Sequence, residues 1–288
     1  MTAMIDAVRR KEASGMVERF SHHSFLTLRL CGNICCGCVI RDEYSQETVE
    51  LPGDAVIVAT GGMHGLFGNT TGSLSNTGEV TAELFRLGVP LANGEMIQYH
   101  PTTVKCGGKR MLISEAARGE GGRLFAMKDG KQWYFMEEKY PELGNLMPRD
   151  ITAREIWKVS HESEVFLDMT EISEEIISNK LSGLADDCMT YLHKDIRKEP
   201  VSVLPGIHYF MGGILVDEQH RTPIQNLYAA GECCAQYHGA NRLGGNSLLG
   251  ALYGGRVAAK SACEQADVVD LSCATQIEFF HQRLKFQK

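Results

Sequence analysis

The chain has 288 residues, of which 43% are hydrophobic, 30 are glycine and 8 are proline. This composition is typical of about two packed globular domains and excludes disordered, collagen-like and low-complexity chains. The net charge of −7, from 29 basic and 36 acidic residues, argues against a general nucleic-acid binder. It leaves room for a local cationic pocket that takes a small anion.

No apolar run is long enough to suggest direct membrane insertion, because a spanning helix needs about 20 such residues. The first fifteen residues lack the apolar core of a secretory signal. We therefore expect a cytoplasmic protein, with any association at the inner face of the membrane made through partner subunits.

The ten cysteines are too sparse for a disulfide scaffold, and their one cluster has no zinc-site spacing. We expect Cys35, Cys36 and Cys38 to be buried strand residues, with Cys35 on the opposite face from the other two. No metal site is predicted.

The first third of the chain is predicted to be a helix, several short strands and a second helix. Hydrophobic periodicity predicts a helix over residues 2–13, strands over 16–20, 25–30, 34–41 and 48–51, and a helix over 78–87. The β-branched run at 55–59 predicts a parallel strand covered on both faces. Thr77 is the candidate N-cap of the second helix, and Gly88 is its expected end.

The middle of the chain changes in character, and the strand pattern then returns. An amphipathic helix at 151–159 and polar helices at 172–181 and 184–195 are followed by strands at 212–216 and 226–230 and a helix at 246–265. This order predicts an α/β domain split by an α+β insertion. The expected parts are residues 1–97, 98–206 and 207–288.

Two predicted strands end in glycine, at 59–62 and at Gly231-Glu232. Glycines let a ligand approach the backbone, and an acidic residue at such a strand end can bind a nucleotide or ribityl hydroxyl. A loop carboxylate without function is the alternative for Glu232. Arg242 lies in a glycine-containing loop that enters a helix, where the N-terminal dipole favours anions. A surface arginine is the alternative there.

The predicted insertion adds further charged residues. Glu115 and Arg118 would be one turn apart on a helix, and Arg149 directly precedes a predicted helix. His100 and His208, taken singly, are also compatible with buried structural histidines.

Together these segments resemble one family, the flavoprotein subunit of succinate dehydrogenase and fumarate reductase, which includes L-aspartate oxidase. The matching motifs occur in family order: Tyr99-His100-Pro101-Thr102, Ser114-Glu115 through Gly122, Pro148-Arg149-Asp150, His208-Tyr209 with Met211-Gly212-Gly213, Gly231-Glu232, and Asn241 through Leu248. The resemblance implies a Rossmann-type FAD-binding domain, present here in part and split by a capping domain. It also implies hydride transfer between FAD and a dicarboxylate, fumarate or succinate, and an iron–sulfur or other electron-transfer partner.

The resemblance also implies roles for individual residues. Arg149 would exchange the proton with substrate, with Glu115 and Arg118 as its relay; arginine deprotonates so reluctantly that immediate reprotonation is required. The residues implied to hold substrate are His100, Ser114, Glu115, His208 and Arg242. The residues implied to line FAD are Ala59, Thr60, Gly61, Glu232, Ser247 and Leu248.

Some family features are missing. No G-x-G-x-x-G fingerprint precedes Gly53, so we expect an internal fragment of a longer protein that purifies without flavin. Without flavin, we expect the substrate residues to lie apart. Gly244-Gly245 favours fumarate and succinate over L-aspartate. The alternatives are an L-aspartate oxidase, a naturally short protein, or a folded cofactor-free fragment without activity of its own.

Overall fold

The computed structural model describes residues 2–266, which divide into two compact units. Within these residues, the first unit comprises 2–56, 224–227 and 262–266, and the second comprises 57–223 and 228–261. The predicted insertion at 98–206 lies wholly within the second unit, and its boundaries stay a prediction. Residues 267–288 of the predicted third part lie outside the described residues.

The first unit contains a helix and an antiparallel three-stranded sheet. Helix α1 (Thr2–Ala13) matches its prediction, and the sheet has the order β1 (His23–Cys31), β2 (Ile34–Asp42), β3 (Thr48–Pro52). The strand predicted at 16–20 is wrong: Met16 is 71% exposed and no strand is assigned there. An isolated apolar segment without a neighbouring strand cannot form a ladder.

The cysteine cluster lies in β2. Cys35 and Cys36 are both fully buried, which confirms their predicted packing role, whereas Cys38, also predicted to be buried, is only half-buried. The predicted alternation is wrong, because an irregularity in the β1–β2 pairing shifts the register between Leu28 and Leu30. Such a bulge turns two successive side chains out of strict alternation.

The strand β4 (Val56–Val58) pairs with β14 (Leu227–Ala229). The Val56 N–H donates to Asn226 O and the Ala230 N–H donates to Val58 O, so the bonds advance together along both segments. This confirms the prediction that the strand at 55–59 is parallel to its neighbour. The expectation of two covered faces is wrong, since Ile57 is 40% exposed. This sheet has two strands within the described part of the chain, and one face of β4 stays open.

Next, α2 (Glu79–Arg86) ends near the predicted Gly88, but its N-cap is Gly78 rather than Thr77. Gly78 has φ +84°, a conformation that glycine adopts without strain. The short strand β5 (Leu91–Ala92) pairs with β13 (Gly213–Ile214), which is shorter than the predicted 212–216.

The rest of the second unit is built on two antiparallel sheets. One has the order β12 (Leu204–Phe210), β6 (Ile97–Cys106), β7 (Lys109–Leu112). The other has the order β11 (Val201–Ser202), β10 (Val165–Asp168), β8 (Arg123–Lys128), β9 (Lys131–Trp133). The hydrophobic core of this region includes the fully buried Ile113, Leu124 and Ile156.

The four helices predicted after α2 are present in the predicted order, and two short helices precede them. In chain order, these helices are α3 (Glu115–Gly119), α4 (Phe135–Lys139), α5 (Arg149–Val159), α6 (Glu174–Lys180), α7 (Ser182–Leu192) and α8 (Asn246–Gln265). Two of these helices, α3 and α5, begin at residues singled out by the sequence. They carry Glu115 and Arg149 into the site described next.

A buried cationic site and a glycine-lined strand edge

The two predicted substrate histidines lie on neighbouring strands. Strands β6 and β12 pair with Gly206 opposite His100 and Ile207 opposite Tyr99. This register brings the His100 and His208 rings to 5.2 Å between centroids, in an edge-to-face arrangement. The two histidines are therefore one pair, although 107 positions of sequence lie between them.

His100 is fully buried, and its Nδ1 lies 3.2 Å from Thr102 O. Its Nε2 has no hydrogen-bond partner among residues 2–266. Burial, and then the charge of Arg149, holds the pKa of His100 well below its usual value. A neutral imidazole with an unsatisfied ring nitrogen is suited to bind a polar ligand atom.

His208 is fixed on its other side by a threonine. Its Nδ1 lies 2.8 Å from Thr71 Oγ1. Burial, followed by the charges of Arg242 and Arg149, lowers the pKa of His208 to about 4. His208 is consequently neutral at physiological pH.

Glu115 bridges two arginines. Ser114 caps α3 by accepting from the Ala116 N–H at 3.3 Å, and Glu115 is the first residue of that helix. Glu115 Oε2 accepts from Arg149 Nη2 at 2.9 Å and Nε at 3.1 Å, while Oε1 accepts from Arg118 Nη2 at 3.0 Å. The predicted helical spacing of Glu115 and Arg118 is therefore confirmed. Ser114 itself is exposed.

These contacts shift the ionisation of the group. Burial opposes the charge on Glu115, but hydrogen bonds and charge from Arg149, and then Arg118, leave its pKa below the usual value. Burial lowers the pKa of Arg118, with Glu115 acting in the opposite sense. Arg118 therefore combines a lowered pKa with a direct hydrogen bond to the ionised Glu115.

Arg242 completes the cluster from the loop before α8. It is 3% exposed, and its guanidinium carbon lies 4.5 Å from the centre of the Tyr209 ring. Burial, and then the charge of Arg149, lowers the pKa of Arg242. Its Nε has no hydrogen-bond partner within the described chain.

Sequence reasoning missed Gln98, which connects two of these arginines. Its Oε1 accepts from Arg149 Nη1 at 3.2 Å, and its Nε2 donates to Arg242 O at 2.7 Å. Gln98 lies two residues before His100 on β6, so the alternation of the strand could have identified it. The hydrogen bonds of Gln98 bring Arg149 and Arg242 close together. The charge of Arg149 lowers the pKa of both His100 and His208, so the predicted substrate residues lie near one another. The expectation that they lie apart is wrong.

The predicted cofactor residues gather at the ends of β4 and β14. Ala59 and Thr60 are exposed, and Asn76 Nδ2 donates to Thr60 O at 2.9 Å and Gly61 O at 3.2 Å. Gly61 has φ +73°, so the backbone there depends on glycine. Glu232 Oε1 accepts from the Phe210 N–H at 3.0 Å.

Helix α8 lies against the same edge. A Cβ on Gly231 would be 3.7 Å from Ala251 Cβ, one turn along α8 from Ser247. Ser247 is half-buried and Leu248 is 46% exposed. A helix of 20 residues presents its N-terminal end here, where unpaired N–H groups favour negative charge.

These features fit the flavin and ribityl end of FAD: exposed backbone at glycine-ended strands, a carboxylate and a helix N-terminus. The sequence holds no G-x-G-x-x-G, and we assign no residue to the pyrophosphate. No group of side chains within residues 2–266 has the composition of a metal site. None of the helices in residues 2–266 combines the length and the hydropathy that a membrane span requires.

Comparison with known proteins identifies similar sequences and folds. Residues 1–248 match the family model described as FAD binding domain. The chain is 42% identical over 279 residues to the succinate dehydrogenase flavoprotein subunit of Bacillus subtilis, covering 94% of this chain and 48% of that protein. It is 38% identical over 228 residues to the L-aspartate oxidase of Clostridium perfringens, covering 77% and 49%.

A solved structure gives the same result. A mutant of the E. coli quinol fumarate reductase superposes with a TM-score of 0.86 at 30% identity, covering 96% of this chain and 51% of that one. The chain spans about half the length of the curated relatives it matches. These similarities confirm the family resemblance inferred from the motifs.

Proposed function

The chain belongs to the FAD binding domain family, and from this premise we propose that it carries the dicarboxylate site and part of the FAD site of an oxidoreductase that interconverts fumarate and succinate. The observation that carries the proposal is the charge of the buried cluster. Arg118 and Arg149 share one carboxylate, that of Glu115, while Arg242 is buried without an ion pair to any described residue, so these four side chains have a net charge of +2. A dicarboxylate dianion balances that charge.

The geometry supports the proposed binding roles. Arg242 offers a planar guanidinium to one carboxylate, and charge-assisted bonds of this kind are the strongest that a site can make. The unsatisfied Nε2 of His100 can donate a further bond. His208 adds a neutral ring that does not compete for the substrate's charge, and Ser114 lies at the start of α3 next to Glu115.

The proton role falls to Arg149. It lies at the first turn of α5, is 9% exposed, and is oriented by Gln98 and Glu115. When fumarate is reduced, one carbon of its double bond receives hydride, and Arg149 donates a proton to the other carbon. Glu115, which is ionised, then takes up a proton from Arg118 on Oε1 and passes a proton to Arg149 from Oε2, so that Glu115 and Arg118 act together as the relay.

The cofactor would be held by Ala59, Thr60, Gly61, Glu232, Ser247 and Leu248. When bound, FAD supplies the hydride chemistry, accepting hydride from succinate or delivering it to fumarate. Exposed strand-end backbone at Ala59 and Thr60 can approach the ring closely, and the start of α8 favours negative charge on it. An electron-transfer partner, such as an iron–sulfur subunit, would exchange electrons with the protein, which would associate peripherally with the membrane through its partners.

The test is turnover in the presence of FAD. Fumarate reduction with a reduced viologen dye, succinate oxidation with an acceptor dye, and L-aspartate oxidation would be measured on the same preparation. Because the chain is expected to purify without flavin, FAD is added in excess, and under that condition we expect turnover of fumarate and succinate and none of L-aspartate. Turnover of L-aspartate alone would favour the oxidase. Absence of all three activities, with no binding of fumarate by calorimetry, would contradict the proposal.

A further inference from the structure

His64 occupies a position that the proposed function does not use. It begins a short 3₁₀ turn (His64–Leu66) directly after the glycine-ended strand β4. Although such turns usually lie at the surface, His64 is only 6% exposed. A buried, polar, titratable side chain beside the proposed cofactor edge requires partners, and the structure supplies them.

Both ring nitrogens of His64 are engaged. Nε2 lies 3.0 Å from Glu232 Oε1, and Nδ1 lies 2.6 Å from Thr70 Oγ1. The ring meets the Phe210 ring edge-to-face with 5.1 Å between centroids. Because a carboxylate only accepts, Nε2 donates to Glu232. The imidazole is thus fixed at both ends and cannot rotate without breaking a bond.

Two glycines make room for this ring. A Cβ on Gly72 would lie 2.2 Å from His64 Cγ, and a Cβ on Gly62 would lie 2.9 Å from His64 Nε2 and 2.3 Å from Glu232 Oε1. Neither distance is compatible with any side chain. The His64 ring and its contact with Glu232 therefore fit only because residues 62 and 72 are both glycine.

The consequence appears at Glu232. Its Oε1 accepts from His64 Nε2 and from the Phe210 N–H at 3.0 Å, which accounts for that oxygen. Its Oε2 has no hydrogen bond to any described residue, and the side chain is 22% exposed. One oxygen is anchored, and the other has its acceptor positions unused within the described residues.

We propose that His64 is a positioning residue that anchors Glu232 Oε1, so that Oε2 is held ready to accept a bond from a cofactor hydroxyl. The ligand class is a polyhydroxylated chain or sugar such as the ribityl or ribose part of FAD. The inference rests on the proposed function in its choice of ligand. The anchoring itself concerns this chain alone.

The two ring nitrogens of histidine lie about as far from Cα as the side-chain ends of asparagine and glutamine. Two variants can therefore each keep one of the two contacts of His64. The terminal nitrogen of glutamine lies where Nε2 lies, so His64→Gln keeps the donor to Glu232 and loses the contact with Thr70. The terminal atoms of asparagine reach the position of Nδ1, so His64→Asn keeps the contact with Thr70 and loses the donor to Glu232. If His64 only filled space, both variants would be damaged, and the shorter asparagine would not preserve the contact with Thr70 in particular.

The first measurement is hydrogen exchange of the Phe210 amide by NMR in the flavin-free chain. This N–H donates to Glu232 Oε1 and reports whether the carboxylate stays in place. We expect His64→Gln to exchange at the wild-type rate and His64→Asn about tenfold faster, as for loss of one hydrogen bond. His161→Asn, at an exposed histidine bonded to Trp157 O, is the control. Equal rates in the Gln and Asn variants would overturn the anchoring role.

The second measurement is FAD affinity by quenching of flavin fluorescence. We expect His64→Asn to bind FAD about five- to tenfold more weakly than His64→Gln and wild type. If His64→Asn and His64→Gln bound FAD equally well although Phe210 exchanged faster in His64→Asn, the position of Glu232 would not matter for FAD binding, and this part of the proposal would be overturned. No quenching by the wild-type chain would overturn the proposed cofactor function instead, and the exchange rates would still decide whether His64 anchors Glu232.

Discussion

On the proposed substrate side of the second unit, the charged groups are buried and hold one another, whereas on the proposed cofactor side the backbone is exposed. Arg149 is 9% exposed and bound to Glu115 and Gln98. Ala59 and Thr60, by contrast, lie exposed at a strand end. A buried charge is costly unless it is paired, so the substrate side must be assembled by the fold itself. A backbone-lined edge has no such requirement and can be completed by a ligand.

This contrast makes Arg149 the position of largest expected effect. We expect Arg149→Ala to lower kcat for fumarate by about 10²–10⁴-fold, because it removes the proton donor, while KM changes little. Arg154→Ala is the control, since Arg154 is exposed on the same helix. The measurement is steady-state kinetics with FAD and a reduced dye. Near-normal turnover would assign the proton to another group.

Arg242 tests whether binding and proton transfer are separate on the substrate side. We expect Arg242→Ala to weaken dicarboxylate binding by about 1.5–3 kcal/mol, the value of a hydrogen bond to a charged group. Isothermal titration with fumarate would measure this. Arg256→Ala, at an exposed arginine of α8, should leave affinity unchanged. An unchanged affinity in Arg242→Ala would remove Arg242 from the substrate site.

Burial of the neutral His208 on the proposed substrate side should also make the free energy of unfolding depend on pH. The pKa of His208 is about 4 in the folded chain, whereas an unfolded histidine has a pKa near 6.5. The unfolded state therefore binds the proton first as pH falls. The stability tied to this neutral residue is complete above about pH 6.5 and is lost progressively as pH falls toward 4.

Between pH 7 and pH 5 this corresponds to about 2 kcal/mol of the free energy of unfolding. His208→Asn, which can still reach Thr71, should remove that part of the pH dependence. Urea unfolding of both proteins at the two pH values would measure the difference. Identical pH slopes for the variant and the wild type would show that His208 is not buried in its neutral form.

Gly244 offers the smallest and most local test. A Cβ there would lie 2.8 Å from Glu115 Oε2 and 3.2 Å from Arg149 Nη2, so Gly244→Ala must displace their ion pair. We expect kcat to fall about tenfold with little change in KM, because proton transfer depends on position. Gly255→Ala is the control, since no atom lies within 4 Å of its added Cβ. Equal kcat in both variants would mean that the ion pair tolerates displacement.

The sequence predicted much of the local structure. Helix α1, the three strands that follow it, α5 and α8 have nearly the predicted bounds, because glycines and polar turns separate segments whose lengths and compositions suit one element type. Residues 16–20 were wrong for the opposite reason: their apolar pattern suits a strand, but no neighbouring strand pairs with them. Thr77 was wrong as a cap because Gly78 adopts a left-handed conformation that starts the helix one residue later.

By itself, the sequence determined which residue types this protein has available for chemistry, since the motifs around His100, Glu115, Arg149, His208 and Arg242 are contiguous in the chain. Only the tertiary structure decided how they meet. The pairing of β6 with β12 sets the histidines side by side, and Gln98 links arginines that are far apart in sequence. His64 shows the same limit, because its partner Glu232 is 168 positions away. Contacts of that range depend on strand register and on the space left by glycines, and neither can be read from local periodicity.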